Sequence, residues 1–278
     1  MSALSSAAEK ASTELAQRIT DNAVEVPMLP EVARKVILVV NDPESDALQL
    51  SKIIQSDQTM AAHVLRIANS PAYAASGNII SLQQAISRLG MQTMAEVAIA
   101  ATVNAKMFNA PGFEDRIQRI WNASLMTGLW SKEVARLTRR NVEAAFLCGL
   151  LHNIGRPMLL QWLSESHGEL TVDEKLAVEE FLYIDANKAV MQAWGLPEPV
   201  MVGVTQYVGK LSDMPSAGQL VNAAILMNQW SERSPDDDVR AIPELADALA
   251  VLRLYSDEID KLVTKRDEVL LSAEAMQL

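Results

Sequence analysis

An all-α fold in two parts is what the chain predicts, on three observations. Aromatic residues make up only 5% of 278 residues, while Ala, Leu and Met recur throughout. No stretch sustains the Val/Thr alternation that a half-buried strand needs. Helix-start signals recur instead: Asp46 with Gln49, Ser81 with Gln84 and Thr171 with Glu174 each pair a capping side chain with Gln or Glu three positions on.

An arm helix is expected within residues 1–24, stopped by Pro27 and Pro30. Pro30 then launches a helix over Glu31 to Val40, which Asn41-Asp42-Pro43 ends. Helices follow at 46–56 and 58–69, broken by Asn69-Ser70-Pro71 and a Ser76-Gly77-Asn78 turn. The next runs over 81–89, with Gly90 as the hinge into a long helix reaching about Lys106. Asn109-Ala110-Pro111-Gly112 is the clearest internal loop and the boundary between the two parts.

Beyond that loop, Ile117, Ile120, Leu125, Leu129, Val134 and Leu137 recur close to helical spacing. A turn at Thr138 to Asn141 leads into an apolar helix carrying Leu147, Leu150 and Leu151, then Gly155 and Pro157. Further helices are expected at 172–181, 185–193, 198–208 and 216–230. The acidic run from Ser231 to Asp238 offers little to bury and reads as a mobile loop, and helices at about 242–254 and 256–273 close the chain. The expected segments are thus an arm helix (1–24), an N-terminal helical subdomain (25–110), a second helical domain (111–215) and a C-terminal helical extension (216–278).

Composition excludes several classes of function. With 49% hydrophobic and 21% charged residues the chain is neither disordered nor low in complexity. A net charge of -11 argues against a nucleic-acid partner, and the local cluster Lys132, Arg136, Arg139 and Arg140 reads as a solvated helix end. Cys148 is the one cysteine, so no internal disulfide, thiolate cluster or C-x-x-C pair can form; it reads as a packed side chain. The opening residues carry Glu9, Lys10, Glu14 and Arg18, unlike a secretory signal, and the apolar runs are too short for a membrane span. No membrane association and a cytoplasmic location are therefore expected.

Chemistry-bearing motifs are sparse. No G-x-G-x-x-G, P-loop or G-x-S-x-G sequence occurs. The histidines are His63, His152 and His167, with His167 in an expected loop and His152 inside an apolar helix, where it must be a ligand or a satisfied core group. Trp121, Trp130, Trp162 and Trp194 read as core, whereas Trp230, beside the acidic loop, is the better interface anchor.

Several segments carry a family resemblance. In the first half they are Pro27-Met28-Leu29-Pro30, Ile53-Ile54-Gln55-Ser56-Asp57, Val64-Leu65-Arg66-Ile67-Ala68-Asn69-Ser70 and the stretch from Ile80 to Gly90. In the second half they are Ile120-Trp121-Asn122-Ala123-Ser124, Phe146 to Gly155, which includes Leu151-His152-Asn153-Ile154-Gly155, and Trp194-Gly195-Leu196-Pro197. From Val26 to about Lys210 the chain resembles the HDOD family, output-domain relatives of the HD metal-dependent phosphohydrolases of bacterial signalling. The resemblance implies an HD-like C-terminal half with degenerate metal positions. The family pattern has His-Asp at His152-Asn153, often a histidine at Asn122, a later histidine at Tyr183 and a histidine pair at Tyr207-Val208. Each departure removes a metal donor, and the histidine count independently leaves too few ligands for a histidine-rich hydrolytic site.

No catalytic residue, metal or cofactor is expected, and the implied role is non-catalytic signal transduction or regulation through a protein partner. Alternative readings are nucleotide or cyclic-nucleotide binding without hydrolysis, and a metal-dependent phosphohydrolase with an atypical carboxylate-rich site. A partner or ligand groove between the two halves would be lined by Arg66, Asn69, Tyr73, Arg88 and Trp121, although Asn69 also suits a plain helix-capping role.

Overall fold

The protein is described by a computed structural model covering residues 5–277 except 41, 43, 74–78, 104, 235 and 236. Every regular element among the described residues is helical. They are α1 (Ser6–Thr20), α2 (Glu31–Val40), α3 (Ala47–Gln55), α4 (Gln58–Ala68), α5 (Leu82–Thr102), α6 (Glu114–Leu137) and α7 (Val142–Leu151). There follow α8 (Gly155–Ser166), α9 (Val172–Trp194), α10 (Glu198–Thr205), α11 (Ser216–Ser231), α12 (Pro243–Val251), α13 (Ser256–Val263) and α14 (Arg266–Met276).

The expected helix starts are real hydrogen-bonded caps. Asp46 and Gln49 form a complete capping box on α3, as do Thr171 and Glu174 on α9, so two amides that a helix leaves orphaned are satisfied at each start. Ser81 caps α5 by accepting from Gln84 N, while the Gln84 side chain reaches one residue further back, to Ile80 N. Gly90 bends α5 at φ 85° and ψ 159°, a conformation open to glycine and costly for other residues.

The chain divides into two compact units. One comprises Leu29–Asn104 with Thr264–Leu278. Here α5 is the hub, packing against α2, α3, α4 and α14. Leu50, Ile54, Val64, Ile67, Ala85 and Met94 fill its interior. The other comprises Met1–Met28 with Ala105–Val263, where α6 packs on α7 and α11, α8 on α9, and α10 on α7, α9 and α11. Trp162 Nε1 donates to Glu25 O at 3.0 Å and Trp194 Nε1 to Pro27 O at 2.7 Å, which pins residues 25–27 to this second unit.

Several boundaries differ from expectation for physical reasons. The helices expected at 172–181 and 185–193 are one helix, α9, because Leu182 and Tyr183 continue its buried face and no Gly or Pro interrupts it. The long helix stops at Thr102, whose hydroxyl bonds back to Ala98 O, and a short 3₁₀ turn occupies Ala105–Met107. The expected 198–208 helix ends at Thr205, which frees Tyr207 to turn inward. The last expected helix is split into α13 and α14, since α13 packs on α6 in one unit and α14 on α5 in the other.

Trp230 is a correction as well: it is 1% exposed, stacks edge-on against Trp130 and donates to Asp237 O. The acidic run offered it a carbonyl rather than leaving it at a surface. Lys132 and Glu133 are likewise buried, so the basic cluster is not a solvated end throughout. The expected Ser76-Gly77-Asn78 turn, Asn41 and Pro43 of the first break, and Pro235 and Asp236 of the acidic loop lie outside the described residues.

Two glycines set the spacing around the second unit's centre. A Cβ on Gly149 would meet Thr127 O at 2.6 Å, and one on Gly155 would meet Asn187 N at 2.6 Å and Tyr183 O at 2.7 Å. Gly155→Ala therefore forces backbone apart between α8 and α9 and should cost about 1–3 kcal/mol, read from the urea midpoint at constant m. An unchanged midpoint would mean that α8 and α9 do not approach this closely.

Candidate functional site

His152 sits one residue past the end of α7 as its C-cap, not inside the helix. Three residues turn the chain there into α8, a helix that Gly155 opens directly against α9. The imidazole is buried. Its Nδ1–H donates to Gly149 O at 2.6 Å, and its Nε2 accepts from Asn153 Nδ2 at 2.8 Å. Because a carbonyl can only accept, this pattern requires the neutral Nδ1–H tautomer. Burial pulls the His152 pKa down to about 4, with the Arg156 charge acting the same way and the bond to Gly149 O opposing it.

The donors continue in one direction around the ring. Asn153 Oδ1 accepts from Arg156 Nε at 3.1 Å, and the Tyr207 hydroxyl donates to His152 O at 3.0 Å with Asn153 Oδ1 at 3.4 Å. The Tyr207 ring stands edge-on to the imidazole, 5.4 Å between centroids. Burial and the neighbouring Tyr183 push its phenol well above the ordinary tyrosine range. Buried Asn187 closes the frame: it accepts from Gly155 N at 2.7 Å and donates to His152 O at 2.6 Å and Val204 O at 3.2 Å. One amide thus joins the end of α7, the start of α8 and the last turn of α10.

Arg156 is the centre of this arrangement. Its guanidinium lies 3.8 Å over the Tyr183 ring and donates to Glu179 Oε1 at 3.0 Å and Glu180 Oε2 at 2.8 Å. Burial alone would lower its pKa, but hydrogen bonds and charge from Glu180 and Glu179 outweigh that and hold it above the usual arginine range. Glu179 has no exposed side-chain surface and is gripped a second time by Arg116, through Nε at 2.7 Å and a terminal nitrogen at 3.0 Å. A cation supplied by the chain therefore stands among His152, Asn153, Tyr183 and Tyr207.

A divalent ion does not fit this donor set. The Nε2 lone pair of His152 is committed to Asn153, Asn153 offers an amide and no carboxylate, Tyr183 and Tyr207 offer phenols, and a guanidinium fills the middle. Among the described residues no group of three or more His, Cys, Asp and Glu could hold a metal. His152 and His167 flank the twelve residues of α8, about 18 Å of helix, and His63 lies in the other unit. His167 bonds Glu169 beyond the end of α8.

Other expected site residues are placed differently. Asn122, half-buried on α6, accepts from Gln118 at 3.0 Å rather than joining the ring around His152. Asn69 caps α4 and clamps the chain to itself: its amide donates to Leu65 O and Ile79 O and accepts from Ile79 N at 2.8 Å. Arg66 contacts His63 at 3.1 Å, Tyr73 is half-buried in the turn after α4, and Arg88 is exposed on α5. These four belong to one unit, while Trp121 is buried in α6 of the other. Arg116, Arg156, Glu179, Glu180 and Asn187 were not anticipated. A carboxylate at Glu179, on the face that continues through Leu182, Tyr183 and Ala186, was the available signal.

The HDOD domain model matches residues 26–208. Over 96% of its length the chain superposes on 97% of an HDOD domain protein of unknown function from Geobacter sulfurreducens, at a TM-score of 0.70 and 19% identity. A Shewanella amazonensis protein whose name assigns it provisionally to the metal-dependent phosphohydrolases gives a TM-score of 0.71 at 21% identity, covering 98% of this chain and 99% of that one. An uncharacterized protein of Treponema pallidum is 22% identical over 201 residues, 68% of this chain, which spans 39% of that relative. Since that family model spans well over half of an all-α chain, the chain belongs to the HDOD domain family.

Proposed function

We propose that the protein is a non-catalytic regulatory domain that works through contact with a protein partner in a signalling pathway. The observation that carries this reading is Arg156, a fixed internal cation in the middle of the degenerate HD positions. Metal-assisted hydrolysis needs an open coordination position and a water whose pKa the ion can lower. Here the polar groups spend their hydrogen bonds on one another, which favours a rigid scaffold over a reaction centre. Within that reading, the subdomain expected over 25–110 contracts to Leu29–Asn104 joined by Thr264–Leu278, and the degenerate HD-like part is the unit of Met1–Met28 with Ala105–Val263, which takes in most of the expected extension. Arg66, Tyr73 and Arg88 belong to the surface we assign to partner contact. The cytoplasm is the proposed location; no helix among the described residues is long and apolar enough to cross a membrane. A nucleotide is disfavoured at the ring because Glu179 and Glu180 already occupy the arginines that would grip its phosphates.

The test is elemental analysis of protein purified without chelator or metal-affinity resin, together with bis(4-nitrophenyl) phosphate turnover in added Mn²⁺ or Mg²⁺. Occupancy far below one ion per chain and no turnover above buffer are expected. Near-unit Fe, Mn or Zn with turnover, both lost in His152→Ala, would sink the proposal.

A further inference from the structure

A cavity of about 300 Å³ opens between the starts of α7, α10 and α11, away from the ring around His152. Its buried floor is Cys148, Ala145 and Leu220. At its rim are Arg140, Asn141 and Ser216, and among the described residues that line it Arg140 carries the only charge. That guanidinium is half-buried and donates to a carbonyl, Ser216 O, whereas Arg116, Arg136, Arg156 and Arg240 are each paired with carboxylates. Burial pulls its pKa below the usual arginine range, the sign of a cation partly stripped of water. What sets Arg140 apart is its place: a half-buried cation with no carboxylate acting on it, beside an apolar hole. The start of α11, which has no side-chain cap, adds the positive end of a helix to the same rim.

We propose that this cavity binds a small apolar carboxylate, with its carboxyl on Arg140 and its alkyl chain over Cys148 and Leu220. Size and charge choose that class. A cavity of roughly 150 Å³ accommodates benzene, so about 300 Å³ admits an acid of about eight carbons. A phosphate ester would bring more charge than one guanidinium can match and would face an apolar wall. Cys148 serves as wall and not as a nucleophile, since burial pushes its thiol up to about 12 and its sulfur lies against Pro199 O and Val200 O at 3.7 Å. Binding here is independent of the regulatory reading, because a bound acid need not signal.

The experiment is calorimetric titration and ¹H–¹⁵N spectroscopy of the full chain with octanoate, octylammonium and acetate. Octanoate should bind at one site per chain and shift the amides of Ala144, Cys148 and Leu220, with the other two at least about tenfold weaker. Arg140→Gln should weaken octanoate about tenfold or more, as loss of a charge-assisted bond predicts. Ala144→Leu, which fills the cavity, should abolish binding with an unchanged circular dichroism spectrum. The proposal fails if wild-type protein ignores octanoate at millimolar concentration, binds octylammonium equally well, shows its shifts elsewhere, or keeps its affinity in a folded Arg140→Gln variant.

Discussion

Glu179→Ala should lower the unfolding free energy by about 3–5 kcal/mol, the usual loss when one partner of a buried ion pair is removed. Glu179 is wholly buried and bonded by two guanidinium groups, while Arg156 is itself only 14% exposed and keeps just Glu180, whose side chain is 64% exposed and screened by water. The loss therefore comes mainly from a cation stranded under Tyr183. Glu179→Gln, with the same shape and no charge, should fall between wild type and the alanine variant. Pairing Glu179→Leu with Arg156→Met should recover part of the stability, since replacing a whole buried pair with apolar groups is often neutral, and Arg116, 32% exposed, can turn toward solvent. Urea unfolding of the four proteins decides it; a loss below about 1 kcal/mol for Glu179→Ala would place the network in water, where exposed pairs contribute that little.

Much of the framework could be read from local chemistry. Asp46, Thr171 and Gly90 act within three or four residues of themselves, so a cap or a hinge is visible without knowing what the helix packs against. The ring around His152 is different. Asn153 bonds its near neighbours His152 and Arg156, but Tyr183 meets Arg156 across from the preceding helix, and Tyr207 reaches His152 and Asn153 from 55 and 54 positions away. Arg156 looks like an ordinary charge in a first helical turn until α9 brings two glutamates and an aromatic face over it. Residue types alone show that imidazoles and carboxylates are scarce there, while the bonds that bind the ring together come from tertiary packing. Trp230 failed for a related reason: its carbonyl partner, Asp237, lies in a run that polarity alone marks as solvent-exposed.

Between pH 6.5 and about 4 the folded protein should lose about 3 kcal/mol through His152 alone. In the unfolded chain this imidazole takes up a proton near its ordinary value of 6.5; in the folded chain burial, helped by the Arg156 charge, holds it neutral down to about 4. Within that window the unfolded state binds more protons, so stability falls as pH falls. Above pH 6.5 the contribution is fully present and flat, and below about 4 nothing more is lost. A difference of about 2.5 pKa units at about 1.4 kcal/mol each sets the size. Carboxylates titrate toward the lower end of the same range, so the readout is the difference in unfolding free energy between wild type and His152→Gln from pH 8 to 4.5; parallel curves would mean that His152 is solvated. Asn153→Asp should flatten the slope, because a carboxylate cannot donate to Nε2 and instead favours the imidazolium. Arg156→Met should move the His152 midpoint only part of the way back toward 6.5, since burial is the larger cause and the guanidinium the smaller. A full return in that variant would make Arg156 the dominant electrostatic group of the site, with burial secondary.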